Sequence, residues 1–141
     1  MAAPNQAPNP GANTGPGPNP PTRDIDLSDP TFASDGQAQQ PQVVDLARFL
    51  YMLSGAFRNT PNYAATLGYT ANFTGGLPQG YVLELRARHP FSFVQDQMRA
   101  VTDSYVRGHP SGGSFRSAGD FAKHVYHIMR NDLVNCDCSL C

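Results

Sequence analysis

The chain has three cysteines, Cys136, Cys138 and Cys141, and they stand in a Cys-x-Cys-x-x-Cys run at its end. Side chains this close in sequence lack the separation and angle that a disulfide needs, so the thiols are poorly placed to bond one another. They can converge on one metal ion instead. Three thiolates and one imidazole make a complete tetrahedral zinc set. His124 and His127 lie just upstream as candidates for the fourth position, with water as a further one. Cys138-Ser139-Leu140-Cys141 also has the outline of a prenylation box, but the final cysteine is atypical there and no polybasic run precedes it. A chain that stops on its last ligand reads as a piece of a longer protein. Clustered cysteines speak against secretion, where dispersed, paired cysteines are expected.

The same residues argue against catalysis. A catalytic zinc needs an open coordination position and a nearby base. No His-x-Glu precedes a Pro-Cys-x-x-Cys, so a deaminase is unsupported, and Glu84 is the only glutamate. A Cys–His nucleophile pair would compete with the metal for the same thiols. The expectation is a structural zinc and no enzyme.

Elements must position these ligands. Residues 1–42 hold nine of the thirteen prolines and one aromatic, Phe32. So little apolar surface cannot offset the entropy of ordering, and the segment reads as a disordered tail. It lacks the charged start and apolar block of a signal peptide, and no apolar run in the chain is long enough to span a membrane. Residues 43–76 read as an amphipathic helix over 43–58, with Val43, Leu46, Ala47, Leu50, Leu53 and Phe57 at helical spacing, followed by an ordered loop. Tyr81 to Arg86 alternates like a strand, with Val82, Glu84 and Arg86 on one face. Ser104 to Arg107 fits a second strand, His109-Pro110-Ser111-Gly112-Gly113 a turn with His109 as a turn residue, and Ser114 to Arg116 a short returning strand. Ser117-Ala118-Gly119-Asp120 resembles a capping box opening a helix over 118–130, with Phe121, Val125, Ile128 and Met129 as its apolar stripe. His124 sits near that stripe. His127 points elsewhere.

Charge adds a mild signal. The overall balance is −1, yet residues 86–130 carry seven basic groups against three acidic ones, and only one of the seven is lysine. Arginine forks suit phosphate and guanine, although an ordinary solvated face explains the bias equally well.

Taken in order, Leu77-Pro78-Gln79-Gly80-Tyr81, Asp103-Ser104-Tyr105 and Pro110 to Ser117 resemble the methyl-CpG-binding domain. The extension through Phe121-Ala122-Lys123-His124 to the three cysteines is similar to fungal transcription-silencing proteins of the cryptic loci regulator type, which belong to a histone-deacetylase heterochromatin complex. The resemblance covers about residues 77–141. It implies an α+β fold, a small twisted antiparallel sheet packed on a helix, preceded by the amphipathic helix and closed by the zinc knuckle. It implies His124, through Phe-x-x-His, as the fourth ligand beside Cys136, Cys138 and Cys141. By the same resemblance Arg88 and Arg116 would read guanine, Asp103 would steady Arg88, and Tyr105 would sit beside the base methyl. Arg86 and Arg107 would add charge near phosphates. The segment from His89 to Thr102 is rich in Pro90, Phe91, Phe93, Val94 and Met98, where the family has a short, basic, glycine-rich loop. Weak DNA binding with little preference for methylated CpG is therefore expected. The implied setting is the nucleus, with DNA or subunits of a histone-deacetylase silencing complex as partners. The alternative is a zinc-stabilised protein-interaction scaffold that uses Phe91, Phe93 and Val94.

Overall fold

The computed structural model describes residues 20–87, 93–94, 99–100 and 102–141. In chain order the elements are β1 (Thr22–Ile25), α1 (Ala47–Arg58), α2 (Pro61–Leu67), β2 (Thr70–Phe73), β3 (Val82–Ala87), β4 (Phe93–Val94), β5 (Arg99–Ala100), β6 (Thr102–Arg107) and α3 (Ala118–Met129). A 3-10 turn, Leu133–Asn135, leads into the cysteines. The α+β expectation holds.

Helix α1 starts later than the periodicity predicts, because the Asp45 carboxylate takes the Ala47 N–H at 3.1 Å and so begins the helix there. Its stripe of Phe49, Leu50, Leu53 and Phe57 is buried against α3 and β2. The expected loop over 59–76 is corrected. Pro61 occupies the first turn of α2, where a missing N–H costs nothing, and Gly68 closes that helix in the left-handed conformation. Strand β2 follows. Ser54 ties α1 to it, donating to the Leu50 carbonyl at 2.8 Å and accepting the Phe73 N–H at 2.9 Å.

The disordered tail is corrected as well, over residues 20–42. Strand β1 pairs parallel with β2, Thr22 opposite Thr70 through Ile25 opposite Phe73. Leu27 is fully buried in the core, and Ile25 and Phe32 pack against it. The composition argument missed this because the segment is ordered by backbone pairing and a few anchors rather than by apolar bulk. Beyond Phe32 an arm crosses the two central strands. Gln37 N–H reaches the Gly108 carbonyl and Ala38 N–H the Gly80 carbonyl, both at 2.8 Å. Three glycines make that approach possible. Gly80 holds φ at +79°, and a Cβ there would overlap the Gly36 carbonyl; one on Gly108 would overlap the Gly80 carbonyl.

Strands β3 and β6 pair antiparallel, Val82 opposite Arg107 through Ala87 opposite Thr102. The expected returning strand shrinks to one bridge, Phe115 to Val106. Strands β4 and β5 form a small ribbon inside the segment that links β3 to β6. Among the described residues the β3–β6 sheet therefore has two strands plus a bridge. Phe115, Phe121, Val106, Val125 and Ile128 are buried beneath it, with Phe115 and Phe121 rings 4.9 Å apart.

Candidate metal centre

Helix α3 delivers His124 to the core. Ser117 caps the helix by accepting the Asp120 N–H at 3.0 Å, and the Asp120 carboxylate reaches back to the Arg116 N–H rather than to Ser117. The reciprocal capping pair is thus shifted by one residue. Its phase puts His124 on the buried side with Phe121 and Ile128, at no exposure. After the 3-10 turn, the knuckle folds back under α3, where Ser139 donates to Asp120 at 2.9 Å.

All three sulfurs surround one nitrogen. Sγ of Cys136 and Cys138 lie 3.4 Å from His124 Nδ1, and Sγ of Cys141 lies 3.5 Å away. A tetrahedral zinc with ordinary Zn–S and Zn–N lengths sets sulfur–nitrogen edges of about 3.5 Å. The donor set fits such an ion in both chemistry and spacing. The other ring nitrogen supports it: His124 Nε2 sits 3.0 and 3.2 Å from the two Asp35 oxygens. The carboxylate takes the Nε2 proton, which leaves the Nδ1 lone pair turned toward the sulfurs. This is the carboxylate–histidine pairing that orients metal-bound imidazoles. Tyr81 donates to the same Asp35 oxygen at 2.6 Å.

His109, just before the Pro110 turn, is buried beside the cluster. His109, His124, Cys138 and Cys141 each bring one ligand atom within 4.8 Å of the others, so His109 competes with Cys136 for a place. Hydrogen bonding decides. The Ser111 N–H points at His109 Nδ1 from 3.0 Å, and an amide can only donate, so Nδ1 must accept. The proton then resides on Nε2, which faces Cys141 Sγ at 3.5 Å. In that tautomer His109 would donate to the Cys141 sulfur and leave the fourth place to Cys136. His127 is not near the cluster; its Nδ1 lies 3.8 Å from Asp132.

Electrostatics favours a cation here. Burial pushes the Cys136 and Cys141 thiols up, and hydrogen bonds and charge from the neighbouring sulfurs push Cys141 further. Crowded thiols resist ionising alone, whereas a dication stabilises all three thiolates together. Burial would also raise Asp35, but hydrogen bonds from His124 and Tyr81 outweigh it and hold the carboxyl below its usual range. Burial and the Asp35 carboxylate drive the Tyr81 phenol far above its ordinary value, so it remains a donor.

The residues expected to meet DNA divide. Arg86, Asp103, Tyr105 and Arg107 share one face of the β3–β6 pair, since Glu84 opposes Tyr105 and Arg86 opposes Asp103. Glu84 occupies both arginines, Arg86 at 2.6 Å and Arg107 at 3.1 Å. Arg86 also lies 4.2 Å over the Tyr105 ring. Arg116 is exposed just before α3 and lines a cleft together with Asp103. Arg88 and Phe91 lie outside the described residues, and Phe93 and Val94 are described only as the backbone of β4.

Sequence reasoning missed Asp35 and the role of His109. The Ile25, Leu27 and Phe32 anchors just before Asp35 were the available signal that this part of the tail packs on the domain.

Residues 74–141 match the family model described as transcription-silencing protein, cryptic loci regulator Clr2. No curated protein and no solved structure matches the chain.

Proposed function

We propose that the chain is a non-enzymatic, nuclear chromatin-silencing module of the cryptic loci regulator type, held together by a structural zinc ion. The match of residues 74–141 to the silencing family carries this reading. Cys136, Cys138, Cys141 and His124 would hold the ion, with Asp35 orienting the histidine. When bound, zinc supplies folding energy by joining the C-terminal knuckle to α3. A full Cys3His set leaves no open position for a substrate, and the single glutamate is engaged by Arg86 and Arg107. The region would work as a methyl-CpG-binding-domain-like unit, presenting the β3–β6 face to DNA and helping to bring histone deacetylase machinery to it.

A titration of duplex DNA at several salt concentrations tests the reading. Phosphate contacts impose a measurable slope of affinity against salt, so weak binding that falls steeply with salt is expected. A second reading, a protein-interaction scaffold, is favoured by one observation: Glu84 ion-pairs with two of the arginines that DNA would need. No binding to any duplex at low salt would leave that scaffold in place of the DNA reader.

A further inference from the structure

The parallel pair β1–β2 has one closed edge and one open edge. On the β2 side, Ser54 of α1 takes the Phe73 N–H at 2.9 Å. Between the strands, the Thr70 N–H reaches the Pro21 carbonyl at 2.8 Å and the Thr74 N–H the Ile25 carbonyl at 2.9 Å. Backbone groups alternate sides along a strand, so residues 21, 23 and 25 turn theirs to β2, while Thr22 and Asp24 turn theirs outward. Among the described residues nothing takes the N–H or carbonyl of either. Parallel strands usually sit in larger sheets covered on both faces. Here Thr22, Asp24 and Asn72 are exposed on the outer face, and β1 lacks a neighbour.

The charge along this edge has one sign. Ile25 lies opposite Phe73 on the core face, and Arg23, two residues earlier on that face, sits 4.9 Å over the Tyr69 ring. Asp24 alternates to the outer face, where Asn72 donates to it at 2.9 Å. Asp26 and Asp29 follow, both exposed, and their hydrogen-bond partners Ser28, Gly76 and Thr31 carry no charge. Among the described residues the Lys and Arg ion pairs go to other acids. Arg23 is thus the one basic group against three carboxylates in residues 22–29.

We propose that the free edge of β1 binds an extended, basic segment of a partner protein as a third strand. The segment pairs with the backbone of Thr22 and Asp24, and its alternate Lys or Arg side chains reach Asp24 and the carboxylates beyond the strand's end. Backbone pairing supplies affinity and the alternate side chains supply specificity. A second copy of this chain fits poorly. Antiparallel self-pairing through both Thr22 and Asp24 sets Arg23 against Arg23, and pairing centred on Asp24 sets carboxylate against carboxylate; like charges directly opposite are destabilising. Duplex phosphates would be repelled by the same acids. The edge lies outside the residues 74–141 that match the silencing family, and it serves whether the β3–β6 face meets DNA or protein.

Panning a random eight-residue peptide library on the zinc-loaded full chain tests it, followed by titration of an enriched peptide into isotope-labelled protein. Enriched sequences should carry Lys or Arg at alternate positions. The Thr22 and Asp24 amides should shift and their hydrogen exchange should slow. Asp24→Lys, which exchanges an attraction for a repulsion across adjacent strands, should weaken binding about tenfold. Thr22→Pro should weaken it about fivefold, the loss of one hydrogen bond. The Thr22 N–H faces away from β2, so proline removes it without breaking the β1–β2 bonds. Unchanged affinity in Thr22→Pro would mean that charge alone retains the peptide, and strand addition would fall. Peptides without a basic bias, shifts confined to other residues, unchanged affinity in Asp24→Lys, or no retained peptide would each overturn the site.

Discussion

Asp35 and His124 are 89 residues apart in sequence, and their side chains meet at 3.0 Å in the core. The pair joins the arm that precedes α1 to the helix that carries the imidazole. Removing an orienting partner of a metal-bound histidine typically costs about 10- to 100-fold in metal affinity. Asp35→Ala should therefore lose zinc to a chromophoric chelator at correspondingly lower chelator concentrations. Asp35→Asn should fall between, because its carbonyl still accepts the Nε2 proton. Equal chelator competition for Asp35→Ala and the parent would mean that the carboxylate does nothing for the metal.

The two buried histidines are separable by cobalt. Tetrahedral cobalt with thiolate ligands is strongly coloured, and on the tautomer argument His124 would be a ligand and His109 a donor to Cys141. His124→Ala and each of Cys136→Ala, Cys138→Ala and Cys141→Ala should lower cobalt affinity and alter the spectrum. His109→Ala should keep the spectrum and lose affinity only modestly. A collapse of the spectrum in His109→Ala with retention in Cys136→Ala would exchange their roles.

The clustering of the cysteines was legible because its information is local. Three cysteines within six residues can reach one point whatever the rest of the chain does, and α3 announces itself through Ser117, Asp120 and a stripe of period 3.6. Asp35 was not legible, because its position depends on contacts distant in sequence. Ser34 donates to the Gln79 carbonyl at 2.6 Å, and Gln37 and Ala38 donate to Gly108 and Gly80. None of these bonds has a composition signature, and the glycines that permit them resemble ordinary turn residues. His109 was hidden for a similar reason. Its neighbour Pro110 marks a turn, but only the fold reveals that the turn points the ring at Cys141. The arginines were found by type, yet their pairing by a single glutamate across two strands required the register.

Stability should respond to acid through Asp26. Its carboxylate accepts from the Ser28 hydroxyl at 2.6 Å, from the Ser28 N–H at 2.9 Å and from the Gly76 N–H at 3.1 Å. The Ser28 hydroxyl, then the Gly76 amide, lower its pKa below the ordinary 3.8. A depressed folded-state value stabilises the fold above the unfolded value, and that contribution is lost as pH falls through the folded one. Chemical denaturation midpoints between pH 6 and about 2.5 should thus fall less for Asp26→Asn than for the parent chain. Parallel midpoint curves would show that the carboxylate's charge is irrelevant to holding β1 beside the Gly75-Gly76 turn.

Glu84 offers the sharpest test of the DNA face. Burial raises its pKa, but the hydrogen bonds from Arg86 and Arg107 more than offset this, so the group stays ionised and holds both guanidiniums. Glu84→Gln removes the charge and keeps the shape, releasing two arginines on the face that carries Tyr105. If that face meets phosphates, duplex affinity at low salt should rise and the slope of log affinity against log salt should steepen by about 1–2, one increment per new phosphate contact. Arg86→Ala and Arg107→Ala made in the Glu84→Gln background should each return one increment. Because the parent pairs, one within β3 and one between β3 and β6, lie at a partly exposed surface, their loss should change stability little. An unchanged slope in Glu84→Gln would mean that the freed arginines never approach a phosphate, and the β3–β6 face would then belong to the scaffold rather than to DNA.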